Sequence, residues 1–187
     1  MERAEGKVLV EGNRLTYNRA IVMPILTDQT LEFISHSAEQ TRRLGVRLGE
    51  LLQPTDLICL SGDLGSGKTT LVQGIARGWG ALDEATSPTF VIINQYRRAD
   101  SARMYHLDAF RLSGSAEAEA MGIYELLDSD GPLVIEWPER IPGILPEERW
   151  WVQMQWVDES RRRLRIDAAG SRYIRLLRDF QKSAFGG

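Results

Sequence analysis

Cysteine is almost missing from this sequence. The 187 residues contain one, Cys59. A single thiol cannot close an internal disulfide, so a reducing, cytoplasmic setting is expected. Cys59 lies in the apolar run Leu57-Ile58-Cys59-Leu60 and reads as a small buried residue. A strong charge of one sign is also lacking: the net charge is −3. That gives no basis for tight direct binding to nucleic acid, DNA included. No apolar run approaches the ~20 residues that cross a bilayer, so no membrane association is expected. Met1 to Gly6 lacks the apolar centre of a signal peptide. Internal repeats and low-complexity tracts are absent as well. The length suits one domain, large enough to bury roughly 70% of its unfolded surface without disulfides or structural metals.

What is present alternates between strand and helix patterns. Lys7–Val10 and Leu15–Met23 can form a short ribbon or a loose extension before Pro24, so residues 1–24 are set apart as an N-terminal extension. Leu31–Ile34 reads as a strand. Ser37 stands three residues before Gln40, a capping-box pattern, and Leu44, Leu48, Leu51 and Leu52 follow at helical spacing. Asp56–Leu60 is short and almost wholly apolar, as expected of a buried parallel strand. A helix of about a dozen residues is predicted from Lys68 to the Gly78-Trp79-Gly80 stop. Phe90–Arg97 and Arg103–Leu107 read as strands, Ser115–Asp128 as helix broken near Gly122, and Leu133–Ile135 as a second buried strand ending at Glu136-Trp137. Trp151–Val157 and Arg163–Ala168 predict a hairpin, with Val152, Met154 and Trp156 on one face. Tyr173, Leu176, Leu177 and Phe180 predict a short amphipathic helix within a C-terminal helix or tail, residues 171–187.

The strongest motif is Gly62-Asp63-Leu64-Gly65-Ser66-Gly67-Lys68-Thr69, which fits G-x-x-x-x-G-K-[ST] at every fixed position. The glycines let the backbone curl so that successive N–H groups face one hollow suited to phosphate oxygens. The helix that starts there adds a partial positive charge. Lys68 should reach the β- and γ-phosphates, the Thr69 hydroxyl should bind Mg2+, and Thr70 can reach the α-phosphate. The loop sits between an apolar strand and a helix, which is the context that distinguishes a nucleotide site from a chance match.

Hydrolysis needs a carboxylate near the metal at the end of a neighbouring strand. Glu136 supplies one, where many such proteins carry aspartate. Trp137 beside it either walls the site or belongs to the core. Asp108, just after the strand Arg103–Leu107, can orient or deprotonate an attacking water, although aspartates at strand ends often only cap turns. His106 in that strand reads as structural. Ser87-Pro88-Thr89 is either a switch that senses the γ-phosphate or an ordinary Ser-Pro turn. Of Arg161, Arg162 and Arg163, one can touch nucleotide, while at least two read as a solvated basic turn. Asp128-Ser129-Asp130-Gly131 matches D-x-x-G but precedes a strand instead of following one. With no N-K-x-D segment either, GTP is disfavoured relative to ATP.

Taken in series, these motifs resemble the TsaE (YjeE) family of small bacterial ATPases. The resemblance rests on Gly62 to Thr70, Ser87-Pro88-Thr89-Phe90, Tyr105-His106-Leu107-Asp108 with Arg111, and Glu136-Trp137-Pro138-Glu139-Arg140. It implies an ATPase domain over residues 25–170. The implied fold is α/β and P-loop NTPase-like: a parallel core sheet flanked by antiparallel strands, with helices on both faces. It implies Mg2+ with ATP or ADP as ligands, magnesium contacts at Thr69 and Glu136, and a need for Asp108 in hydrolysis. Ser87-Pro88-Thr89 would behave as a switch, Trp137 would lie by the site, and Ser37 and Arg161 would approach nucleotide. The implied partners are TsaD-like and TsaB-like proteins that install threonylcarbamoyl on tRNA adenosine, with no strong direct tRNA binding by this chain. Phe110 departs from the family, which often has tyrosine there. Two other readings of the phosphate loop compete, a small-molecule kinase and a nucleotide switch with negligible turnover. No arginine-bearing lid is evident, since the segment 113–128 is acidic, with Glu117, Glu119 and Glu125.

Overall fold

The computed structural model describes residues 25–85 and 93–186. The extension 1–24, with its two possible strands, and Ser87, Pro88, Thr89 and Phe90 lie outside the described residues.

The described strands are β1 (Ile25–Leu26), β2 (Thr30–Ser35), β3 (Leu57–Ser61), β4 (Ile93–Arg97), β5 (Arg103–Asp108), β6 (Leu133–Glu136), β7 (Arg149–Trp156) and β8 (Arg162–Ala169). They form one sheet in the order β1-β2-β8-β7-β3-β6-β5-β4. The centre is parallel: β7 and β6 flank β3, and β5 flanks β6. Antiparallel pairs complete both sides, β4 on β5 at one edge and β8, β2 and β1 at the other. Every residue of β3 is buried, because it has a strand on each side and helices over each face. That position explains its unbroken apolar run.

The first face carries α1 (Ala38–Gly49), α2 (Lys68–Trp79) and α5 (Ser171–Phe185). Leu44 and Leu48 of α1, Val72 and Ile75 of α2, and Leu176 and Phe180 of α5 pack on Phe33, Ile58, Leu60, Trp150 and Leu164 of the sheet. The second face carries α3 (Ser115–Ala120) and α4 (Ile123–Leu127), with single 3-10 turns at Pro138–Arg140 and Pro142–Ile144. These cover Leu57, Cys59, Leu107 and Ile135 through Ala118, Ile123, Ile141 and Ile144. Burial pushes the Cys59 thiol up to about 12, which keeps it protonated and inert.

Local signals account for most element ends. Ser37 caps α1, its hydroxyl oxygen accepting from the Gln40 N–H at 3.0 Å. The return bond of the box is shifted by one residue: Gln40 Oε1 accepts from His36 N–H at 2.7 Å. The helix ends at Gly49, so Leu51 and Leu52 lie in the turn beyond it. The break near Gly122 is real, with φ of 84° at that residue between α3 and α4. In the hairpin, Val152 and Met154 are buried as expected, but Trp156, at the end of β7, is 58% exposed.

The C-terminal helix is longer than expected and belongs to the core. Trp150 Nε1 donates to Tyr173 O at 2.9 Å, and Leu57 N–H donates to Tyr173 Oη at 2.7 Å. Arg172 grips the buried Asp56 through both guanidinium branches, at 3.0 and 2.6 Å. The start of α5 is thus bolted to the start of β3. No helix among the described residues is long and apolar enough to cross a membrane.

Candidate functional site

The site lies where β3, β5 and β6 end. Because these strands are parallel, their C-terminal ends share one edge of the sheet, where open α/β sheets bind ligands. The glycine-rich loop joins β3 to α2 there. Gly62 has φ of 139° and passes so close to β7 that a Cβ would meet Met154 O at 2.1 Å, so only glycine fits. Gly67, with φ of 98°, caps α2 without any side-chain bond. The first N–H groups of α2 therefore face the loop with no capping acceptor, which is the arrangement that receives an anion. Ser66 Oγ is buried in the loop without a hydrogen-bond partner, an orphan that a phosphate oxygen would satisfy. Gly65 lies on the outer turn, and Asp63 and Leu64 project outward, Leu64 being 84% exposed. Thr70 is half-buried in the first turn of α2.

Lys68 is buried and turned back onto the loop. Its Nζ donates to the carbonyls of Gly62 at 2.7 Å and Asp63 at 3.0 Å. It also lies 3.9 Å from the centre of the Trp137 ring. Burial lowers its pKa from the ordinary lysine value, and the carboxylates of Glu136, Glu139, Asp108 and Asp63 pull it back up. Trp137 thus touches the loop's lysine and also packs against the core on the second face of the sheet. It does so from a left-handed backbone, φ 58°, which is costly for a bulky residue and held by its N–H bond to Leu60 O at 3.0 Å. Phe110 packs on it with ring centres 4.9 Å apart, an apolar contact beside the loop.

Glu136 ends β6 beside Leu60 of β3 and Asp108 of β5. It is 3% exposed. Thr69 Oγ1 donates to its Oε1 at 3.1 Å. A hydroxyl and a carboxylate this close offer hard oxygen ligands of the kind that suit Mg2+. Among the described residues no group of three or more His, Cys, Asp or Glu builds a dedicated cage. The donor set thus fits a cation that arrives with nucleotide. Asp108 Oδ1 accepts from Phe110 N–H at 3.0 Å, so this aspartate does cap its turn, and its second oxygen is not used in that bond. Burial raises the Asp108 pKa, the Phe110 bond opposes the rise, and the neighbouring Glu136 charge adds to it.

The hairpin separates its arginines. Arg161 Nε pairs with Asp158 Oδ2 at 2.6 Å at the exposed turn, and that bond helps hold Asp158 down to about 2. Arg162 reaches the loop instead, its Nη2 donating to Gly65 O at 3.3 Å. Alternation carries the reason. Arg162, Leu164, Ile166 and Ala168 share the inward face of β8, whereas Arg161 precedes the strand. Ser37 spends its hydroxyl oxygen on the α1 cap, while Ser35, two residues earlier, pairs with Arg162 across β2 and β8. His106 is fully buried, and its Nε2 lies 3.1 Å from Glu136 Oε1. The signal for it was the two-residue spacing that puts His106 and Asp108 on one face of β5.

A sequence model of the family described as "Threonylcarbamoyl adenosine biosynthesis protein TsaE" matches residues 35–164. This chain belongs to the TsaE family. It is 31% identical over 152 residues to the tRNA threonylcarbamoyladenosine biosynthesis protein TsaE of Bacillus subtilis, covering 81% of this chain and 94% of that one. The TsaE of Treponema pallidum is 34% identical, with 71% and 97% covered, and that of Streptomyces coelicolor 41% identical, with 68% and 79% covered. The crystal structure of Bacillus subtilis YdiB superposes with a TM-score of 0.69 at 28% identity, covering 82% of this chain and 95% of that one. The span matched by the TsaE model holds the loop, Asp108, Glu136 and Arg162, and ends within β8, before α5.

Proposed function

We propose that this chain binds ATP with Mg2+ and hydrolyses it to ADP and phosphate in the cytoplasm. It would do so in support of TsaD-like and TsaB-like proteins that install threonylcarbamoyl on tRNA adenosine. The observation that carries the proposal is the Thr69–Glu136 oxygen pair, 3.1 Å apart at the mouth of a loop whose lysine is buried and whose helix is uncapped.

In this reading the triphosphate enters the loop and takes the place of the carbonyls and the Trp137 ring that now hold Lys68. The loop and α2 N–H groups bind the phosphate oxygens, and Ser66 Oγ gains a partner. Lys68 follows the γ-phosphate and offsets the negative charge that builds on it. Asp108 orients a water for in-line attack and takes up its proton as the bond from the γ-phosphorus to the bridging oxygen breaks, leaving ADP. Bound Mg2+, held by Thr69 and Glu136, would supply charge neutralisation across the β- and γ-phosphates. Trp137 and Phe110 shield one side of the site from water.

The assembly half of the proposal is tested by capture. Tagged protein is mixed with TsaD and TsaB homologues, with and without ATP and Mg2+. Association that depends on nucleotide is expected, and its absence under both conditions would count against the assembly role.

A further inference from the structure

His106 makes no use of solvent and no use of the backbone for its ring. It is completely buried in β5, and both ring nitrogens face side chains. Nε2 lies 3.1 Å from Glu136 Oε1, and Nδ1 lies 3.2 Å from Tyr96 Oη. A carboxylate only accepts hydrogen bonds, so the nitrogen that faces Glu136 carries its proton. Oε1 thus receives two donors, His106 Nε2–H and Thr69 Oγ1–H, while Oε2 has no histidine bond. The register explains the meeting: His106 pairs with Val134 and Asp108 with Glu136, so His106 and Glu136 are diagonal neighbours on one face. Tyr96 approaches from β4, where Asn94 is the residue opposite His106.

We propose that His106, braced by Tyr96, is the positioning residue for Glu136, fixing the rotation of that carboxylate so that it meets Mg2+ without reorganising. The inference rests on the magnesium reading given above. A purely packing histidine would satisfy its nitrogens on backbone or be replaceable by an apolar ring of similar size. Here an apolar ring would strip a 3%-exposed carboxylate of one of its two donors and free it to rotate. Partners that orient metal ligands typically contribute ten- to a hundred-fold in metal affinity. The chain Tyr96–His106–Glu136–Thr69 also links the edge strand β4 to the first turn of α2 through side chains alone, so the setting of β4 bears on the oxygen pair.

The test is calorimetric binding of a non-hydrolysable ATP analogue to the full chain, titrated with Mg2+. The variants are His106→Phe, His106→Gln and Tyr96→Phe, each checked for folding by circular dichroism. For His106→Phe we expect unchanged analogue affinity without Mg2+ and a Mg2+ half-saturation raised about ten- to a hundred-fold. His106→Gln, whose amide can again donate to Oε1, is expected to recover most of that loss. Tyr96→Phe is expected to show a smaller rise in the same direction. If His106→Phe does not fold, the other two variants carry the test. Wild-type Mg2+ half-saturation in His106→Phe or in Tyr96→Phe, or a glutamine variant no better than phenylalanine, overturns the inference. Wild-type protein whose analogue binding ignores Mg2+ instead overturns the magnesium reading beneath it.

Discussion

Asp108 and Lys68 face opposite problems at the same edge of the sheet. Burial makes each charge less favourable, raising the carboxyl and lowering the amine. For Asp108 this sets a pH dependence of stability. Below its ordinary pKa the residue is protonated in both folded and unfolded chains. As pH rises through the raised folded value, the folded protein must carry a charge it holds poorly, and stability falls. Asp108→Asn keeps an oxygen for the Phe110 N–H and loses the charge. It is expected to melt above wild type at pH 7, with the gap closing as pH drops into the carboxylate range. A lower melting temperature at pH 7 would show that the charge is well accommodated. At the hairpin, Arg162→Ala should weaken nucleotide binding more than Arg161→Ala, since Arg162 bonds the loop at Gly65 and Arg161 bonds only its own turn. The reverse order in a binding titration would favour Arg161 as the nucleotide contact. Lys68, Thr69 and Glu136 were readable in the sequence because their positions are set by spacing from a strand end. Arg162 was not singled out because the choice among three successive arginines depends on where β8 begins, a matter of one residue. The partner of His106 was illegible for a different reason: Glu136 is thirty residues away, and only sheet register makes them neighbours.

Helices α1 and α2 touch backbone to backbone. A Cβ at Gly45 would meet Leu71 O at 2.4 Å, and one at Gly74 would meet Arg42 O at 2.1 Å. This seam holds α2, and with it the loop, against the sheet. Gly74→Ala forces the helices apart and is expected to cost at least about 1–3 kcal/mol, as overpacking does, read as a lower urea midpoint with unchanged slope. An unchanged midpoint would mean that α1 shifts freely. The sequence showed both helices through caps and periodicity, yet hid this contact, because glycine inside a helical pattern looks like weakness until its neighbour is placed. Helix α5 was underestimated for a related reason. Tyr173, Leu176, Leu177 and Phe180 revealed an amphipathic stripe but not its target. The Asp56–Arg172 pair and the Tyr173 bonds supply that target. Removing residues 171–187 should leave Trp150 and Leu164 uncovered and produce aggregated or non-cooperatively unfolding protein. A soluble truncate with a sharp transition would show that the sheet does not need this helix.

At the scale of the whole molecule, the parallel centre of the sheet is what brings distant residues to one place. Gly62 follows β3, Asp108 ends β5 and Glu136 ends β6, and they meet because these strands run the same way. That much followed from apolar runs ending in glycine or carboxylate. The antiparallel strand β8 carries Arg162 to the loop, where it bonds Gly65 O, so a strand outside the parallel core also reaches this edge. The proposed chemistry of this edge is ATP binding and hydrolysis, with Asp108 positioning the water. Its most direct test pairs two readouts on Asp108→Ala and wild type in Mg2+: ATP affinity by calorimetry and phosphate release at saturating ATP. Comparable affinity, with phosphate release by the wild type alone, is expected. Release by the variant at the wild-type rate would contradict it.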